Sequence, residues 1–291
     1  MKRIIIGLLG VVLASTSVFA QDFSQVTITT IPVTDNIYML QGSGGNIGVS
    51  IGDDGTFIVD DQFAPLTGKI VEAIAALTDK PVDFVVNSHW HYDHSDGNEN
   101  FGKAGAYIVA QDNSRHRMET DQVVSLNGRE QEAYDASGLP KITFMDAMKF
   151  YFNGNTIEIV YTGPGHTDGD AQVYFRESNV LHTGDMFVRY GLPFIDQPNG
   201  GTTSGMIDSL WEIAGLIDDD TIIIPGHGQL AKRSDLLEYR SMLVTIRERL
   251  QVAIAQGQSA DQVVASDVVE GFAAPGAGTE RWVRAAYEEY R

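Results

Sequence analysis

Cysteine is absent from this 291-residue chain. No disulfide braces the fold and no cysteine-linked lipid anchors it, so the structure must be held by its core. Basic residues are scarce: 20 Lys and Arg stand against 39 Asp and Glu, a formal net charge of −19. Phosphate affinity comes from Lys and Arg, so this balance excludes a nucleic-acid partner and favours cations. Long apolar runs are missing too. The longest, residues 4–14, falls short of the roughly 20 residues that a membrane-spanning helix requires. Long blocks of like charge, low-complexity linkers and internal repeats are likewise absent, which argues against a disordered or repeat architecture.

What is present is enough apolar material, 43% of the chain, for a full core of one globular domain. The first twenty residues differ from the rest. Lys2 and Arg3 precede the apolar run, and Val18-Phe19-Ala20 places small residues where a signal peptidase reads. Residues 1–20 are therefore expected to be a signal peptide. The mature protein, residues 21–291, is expected to be a single domain in the periplasm or outside the cell, without a membrane anchor.

Short β-rich runs at residues 26–30, 37–40, 47–51 and 56–59, separated by Gly and Asp turns, predict an antiparallel meander. Leu66, Ile70, Val71, Ile74 and Leu77 then fall at helical spacing, and residues 82–86 form an apolar strand. Strands and helices alternate beyond: a strand at 106–110, a polar helical region to about Asp135, strands near 149–152, 156–161, 171–175 and 179–181, a helix at about 204–216 and a strand at 221–224. The C-terminal part reads as helical. Asp235 with Glu238 looks like an N-terminal capping pair, Leu236, Leu243, Ile246, Leu250 and Ala253 form one apolar stripe, Gly257 ends it, and a shorter helix covers about 281–290. The fold class this order predicts is α/β, with strands sandwiched between helices.

Five of the seven histidines fall in three segments: His89-Trp90-His91-Tyr92-Asp93-His94, Gly163-Pro164-Gly165-His166-Thr167 and Pro225-Gly226-His227-Gly228. Each follows a predicted strand, so all three can meet at one sheet edge, where ligands gather in α/β folds. Four metal-competent side chains in six residues are hard to explain as packing, because burying them unpaired costs desolvation. A fourth segment, Leu181-His182-Thr183-Gly184-Asp185, brings a carboxylate to the end of another strand. Five imidazoles and two carboxylates suit zinc in four or five coordination, divided between two ions.

This pattern resembles the metallo-β-lactamase superfamily, whose signature is a His-x-His-x-Asp-His segment followed in order by a His, a bridging Asp and a final His. All seven positions match, at His89, His91, Asp93, His94, His166, Asp185 and His227. The resemblance implies a four-layer αβ/βα sandwich with a dinuclear metal edge. It implies that His89, His91 and His166 hold one Zn2+, that Asp93, His94 and His227 hold the other, and that Asp185 bridges. It further implies hydrolysis by a metal-bridging hydroxide, with Asp93 orienting that hydroxide as well as binding metal. With a carboxylate at Asp185, selectivity for zinc over manganese or iron should be looser than with a thiolate.

For the substrate, a small molecule, the Gly-Pro-Gly-His-Thr segment and the export signal resemble true β-lactamases, making opening of a β-lactam amide the leading reading. The chain departs from the main lactamase subclass at four places. Asp185 stands for its Cys, and His94 for its Ser, Arg or Gly. Val188 stands for the Lys that grips the substrate carboxylate, with Arg189 beside it as the candidate replacement. The covering flap is reduced to Gln41-Gly42-Ser43-Gly44-Gly45. The alternative is a hydrolase of esters, lactones, thioesters or phosphoesters. A third class, the diiron redox proteins of the same superfamily, resembles the chain in fold but has Glu where His91 stands. Phe63 and Trp90, with Tyr92, Phe187, Tyr190 and Phe194, are candidate pocket walls. One of Asp60 and Asp61 is expected to support a ligand histidine, with turn capping as the alternative. His182 is either an outer partner or an ordinary strand residue, His116 reads as part of a solvated helix face, and residues 199–203 read as a loop and helix start near the site.

Overall fold

The computed structural model describes residues 22–291; the expected signal peptide lies outside the described residues. Strands β1 (Thr29–Pro32), β2 (Ile37–Gln41), β3 (Ile47–Gly52) and β4 (Gly55–Val59) form the antiparallel meander. Parallel strands β5 (Val82–Val86), β6 (Tyr107–Gln111) and β9 (Ile142–Phe144) extend it to a seven-stranded sheet of order β1-β2-β3-β4-β5-β6-β9. A hairpin of β7 (Gln122–Val124) and β8 (Arg129–Gln131) lies between β6 and β9 in sequence and stands apart from both sheets. The second sheet is β10 (Ala147–Phe152), β11 (Asn155–Tyr161), β12 (Ala171–Phe175) and β13 (Val180–His182) in antiparallel order, then β14 (Ile222–Ile224) parallel to β13.

The period-two alternation of strands sorts side chains into layers. On β4, Phe57 and Val59 face the second sheet while Ile58 faces helices; on β12, Val173 and Phe175 face the first sheet and Tyr174 faces helices. Strands covered on both faces are largely apolar, and β4 and β12 are buried at every position, including the polar Thr56 and Gln172. Helices α1 (Thr67–Ala75) and α3 (Asn98–Ala104) close the outer face of the first sheet through Ile70, Ile74 and Phe101. Helices α5 (Thr203–Leu216) and α6 (Arg233–Ala255) close the second through Met206, Leu210, Leu236 and Leu243. The result is the four-layer sandwich expected. Helices α7 (Ala260–Ala265) and α8 (Ala277–Tyr290) pack beyond it on α6, around Leu250, Val263, Val283 and Ala286. No helix among the described residues is long and apolar enough to cross a membrane.

Three expectations are corrected. The polar helical region to Asp135 holds only α4 (Asp112–Met118) and then the β7–β8 hairpin, whose turn contains Asn127-Gly128 with Gly128 at φ 69°. That dipeptide and the preceding pair of valines are a hairpin signal, and they outweigh the polar content of the segment. At the start of α6, Asp235 takes part in capping from a different position: the N-cap is Lys232, and Asp235, in the first turn, accepts the Lys232 N–H on its carboxylate at 2.8 Å. Val71 points to solvent, 46% exposed, so the buried face of α1 is narrower than the apolar spacing suggested.

Candidate metal centre

Every segment carrying a candidate ligand leaves the C-terminal end of a strand: β5 for His89 to His94, β11 for His166, β13 for Asp185 and β14 for His227. Since β11, β13 and β14 run the same way, their ends share one edge, and cross-sheet backbone bonds tie it to the first sheet. Ala171 donates to the Ser88 carbonyl at 2.6 Å, and Asn46 to the Gly226 carbonyl at 2.7 Å. The Asn46 side chain also donates to Pro225 and Gly228 carbonyls at 2.8 and 2.9 Å, fixing the loop that carries His227.

The seven side chains converge. His89 Nε2, His91 Nδ1 and His166 Nε2 lie 2.8 to 3.2 Å from one another. Beside them, His227 Nε2 is 3.3 Å from both His94 Nε2 and Asp93 Oδ2. Asp185 stands between the groups, with Oδ2 3.6 Å from His166 Nε2 and Oδ1 3.2 Å from His94 Nε2 and 3.5 Å from His227 Nε2.

The outward-facing ring nitrogens show what the inner ones are. His166 Nδ1 meets the Phe194 carbonyl at 2.8 Å, which only accepts, so Nδ1 carries the proton. His91 Nε2 meets the Asp196 carboxylate at 2.9 Å, and His94 Nδ1 the Asp60 carboxylate at 2.7 Å. Ser88 donates its hydroxyl to Asp60 Oδ2 at 2.7 Å and so accepts from His89 Nδ1 at 3.1 Å. A neutral ring protonated on its outer atom turns a lone pair inward, and lone pairs at such distances repel unless a cation lies among them. Asp185 Oδ1 is buried and makes no hydrogen bond of proper geometry. The donor set therefore fits metal, in clusters of His89, His91 and His166, of His89, His94 and Asp185, and of Asp93, His94 and His227.

Electrostatics follow this division. Burial holds His166 down to about 4 and His89 well below its ordinary value, so both are neutral. Burial opposes charge on His94 and His227 as well, but nearby carboxylates outweigh it: Asp185, Asp93 and Asp60 raise His94, and Asp185 and Asp93 raise His227 to about 9. Burial also opposes ionisation of Asp93, yet His94 and His227 bring it down to about 2. These positively biased histidines surround the carboxylates that a cation would otherwise neutralise.

Asp60 is the support that the sequence anticipated, held in a left-handed conformation at φ 66°. Such backbone persists in a non-glycine residue only where surroundings over-determine it. Asp60 Oδ1 accepts the Ser88 N–H at 2.6 Å, while Oδ2 takes both Ser88 Oγ and His94 Nδ1. Asp61 is the other member of the pair and takes the capping role: its side chain makes no hydrogen bond to a ligand ring and accepts the Gly97 N–H at 3.0 Å at the start of α3. His182 is an outer brace, donating Nε2–H to the Asn46 carbonyl at 2.9 Å and accepting the Gly184 N–H at 3.2 Å on Nδ1. His116 is exposed on α4, as read from sequence. Gly45 is required by close approach, since a Cβ there would fall within the His94 ring.

The three candidate substrate contacts are corrected too. Arg189 is ion-paired with Asp235 at 2.6 Å, turned to the start of α6. Phe63 is buried beneath the site against Phe23 and Tyr92. Trp90 is fully buried against Met118 and Val124, with its ring 4.5 Å from that of His91. In the Asp-Asp and Trp-His stretches, the residue that faces the site and the one that backs it are sequence neighbours, and composition cannot tell them apart. Asp196 was missed altogether. It reaches His91 from a loop 105 residues away, and its other oxygen accepts Ser125 Oγ at 2.7 Å. Residues 197–200 lie beside it, Asn199 Nδ2 donating to Asp196 Oδ2 at 2.9 Å.

The site opens into a cavity of about 900 Å³ bordered by His91, Asp93, His166, Asp185 and His227. Its walls come from Val124 and Leu126 of the hairpin, from residues 190–195, and from Phe272 and Trp282 in the C-terminal part.

Among known proteins, a hydroxyacylglutathione hydrolase of Brucella anthropi is 26% identical over 182 residues, 62% of this chain and 61% of its own. That of Brucella ovis is 27% identical over the same length. The chain thus spans about three fifths of the length of these curated relatives. A metallo-β-lactamase from Pontibacter korlensis shares the fold with a TM-score of 0.63 at 17% identity, over 75% of this chain and 99% of that one. A sec-alkylsulfatase from Pseudomonas sp. does so with a TM-score of 0.67 at 18% identity, over 90% of this chain and 50% of that one. The metallo-β-lactamase superfamily model matches residues 40–227, the stretch that contains all seven converging side chains, and the chain belongs to that superfamily.

Proposed function

We propose that this protein is a metal-dependent hydrolase of small-molecule carbonyl compounds, acting on an ester or thioester. The observation that carries this choice of substrate is the Arg189–Asp235 ion pair. With Arg189 turned away, no Lys or Arg among the described residues borders the metal end of the cavity, and Arg281, the Lys or Arg among them that does line it, belongs to α8. A β-lactam bears a carboxylate close to its scissile amide and would find no partner for it there. An ester or thioester needs none. The relatives named for hydrolysis of a hydroxyacylglutathione point the same way.

Two Zn2+ ions are the proposed occupants, with His89, His91 and His166 around one, Asp93, His94 and His227 around the other, and Asp185 between them. Metal bound by these residues would supply hydroxide near neutral pH and polarise a carbonyl oxygen. The remaining work falls to this chain. Asp93, about a quarter exposed in the cavity lining, stays ionised down to about pH 2 and would orient an attacking water by accepting a hydrogen bond from it. Asp60 and Asp196 hold the imidazoles in the tautomers that metal binding needs, and the apolar walls exclude water from the carbonyl.

We further propose that the protein is exported, on the strength of Lys2-Arg3, the apolar run and Val18-Phe19-Ala20. N-terminal sequencing of the periplasmic or secreted form should give Gln21; an intact Met1 in the cytoplasm would contradict export. For the reaction, the test is kcat/KM for an acyl thioester and an acyl ester against that for a chromogenic cephalosporin. Preference for the first two is expected. Faster turnover of the cephalosporin would restore the β-lactam reading.

A further inference from the structure

The cavity reaches well beyond the metal centre, and its outer half is made by chain that follows the superfamily match at residue 227. Phe272, Trp282, Ala285 and Ala286 form one side there, facing Val124 and Leu126 of the β7–β8 hairpin. Three polar side chains in this part are already committed to the protein, while the buried Nε1 of Trp282 has no partner. Ser125 Oγ donates to Asp196 at 2.7 Å, Gln197 Nε2 to the Ala285 carbonyl at 3.1 Å, and Thr279 Oγ1 to the Ala274 carbonyl at 2.8 Å. Among the described residues, the carboxylates in the lining are Asp93 and Asp185, at the metal end. Arg281 is exposed where α8 meets the hairpin, donating to the Leu126 carbonyl at 3.4 Å. A hydrogen-bonding substituent such as a peptide would lose its water here and find few partners beyond Arg281. An apolar chain would lose nothing and bury its surface.

Building on the ester or thioester reading, we propose that the substrate carries an extended apolar acyl group that lies between the β7–β8 hairpin and α8 while its carbonyl sits over the metal centre. The acyl group is the part common to both substrate types and stays attached to the attacked carbon. Apolar side chains line the cavity both beside the metal centre, where the Phe194 ring stacks 5.6 Å from that of His91, and in the C-terminal part, at Phe272 and Trp282.

Two measurements test this. In the first, zinc-loaded protein is given 4-nitrophenyl esters with acyl chains of two to ten carbons. kcat/KM should rise about threefold to fourfold per methylene until the cavity is filled, and Ala285→Trp should cut the ratio of decanoyl to acetyl activity at least tenfold with the melting temperature kept. A flat or falling series with measurable acetyl turnover would overturn the proposed acyl group while leaving the hydrolase reading intact. In the second, metal-free protein is titrated with decanoate and with acetate, following tryptophan fluorescence. Decanoate should change the emission, the change should vanish in Trp282→Phe, and acetate should do nothing. This arm decides the proposal even where no ester is hydrolysed, an outcome that would count against the hydrolase reading alone. Absence of a decanoate signal in the wild-type protein would overturn the apolar acyl site.

Discussion

Asp60 Oδ2 lies 2.7 Å from His94 Nδ1, and the same oxygen receives Ser88 Oγ, which in turn receives His89 Nδ1. One carboxylate thus sets the tautomers of a histidine in each metal cluster. Asp60→Asn keeps the shape and tolerates the left-handed backbone but removes the charge. Metal affinity should fall about 10-fold to 100-fold at both clusters, measured by competition with a chromogenic chelator. Unchanged affinity would show that the His89–Ser88–Asp60–His94 chain has no role in holding metal.

Asp196 acts on one cluster alone, through His91. In Asp196→Asn the metal held with His89, His91 and His166 should weaken by about 10-fold to 100-fold while the metal held by Asp93, His94 and His227 is kept. Metal stoichiometry at graded chelator concentrations separates the two, and equal loss from both would contradict the assignment.

Arg189→Ala should leave kcat and KM for an ester substrate nearly unchanged, because the side chain is spent on Asp235. Both partners are about a third exposed, so the pair contributes no more than about 1 kcal/mol. A large rise in KM confined to anionic substrates would mean that Arg189 swings into the cavity.

Burial lifts Asp170 from 3.8 to about 7, even though Thr167 donates its N–H and hydroxyl to it. Well below pH 3.8 the group is protonated in both folded and unfolded chains. As pH rises toward 7 the unfolded chain releases a proton that the folded one retains, so stability falls across that window. Asp170→Asn should flatten the decline, by about 1.4 kcal/mol for each pKa unit of the shift removed. Denaturant melts at pH 4, 5.5 and 7 measure it; parallel wild-type and variant curves would contradict it.

The sequence carried the layers and the convergence of the seven side chains, because both rest on local periodicity and on short motifs that follow strands. The β7–β8 hairpin was hidden in a polar segment where only Asn127-Gly128 marked it. Asp196 was hidden because its partner is 105 residues distant, and no spacing rule connects a loop carboxylate to a histidine in another loop. Arg189 was misread for a different reason: the direction of a side chain depends on what the next helix offers, here the carboxylate of Asp235.

The central claim is that the converging histidines and aspartates hold metal that drives hydrolysis of an acyl ester or thioester. It is tested most directly by measuring thioester turnover of the zinc-loaded protein beside that of an Asp185→Ala variant of equal melting temperature. Turnover that requires zinc and falls at least about a hundredfold in the variant is the expected result. Turnover that persists in the variant, or in wild-type protein stripped of metal by a chelator, would contradict it.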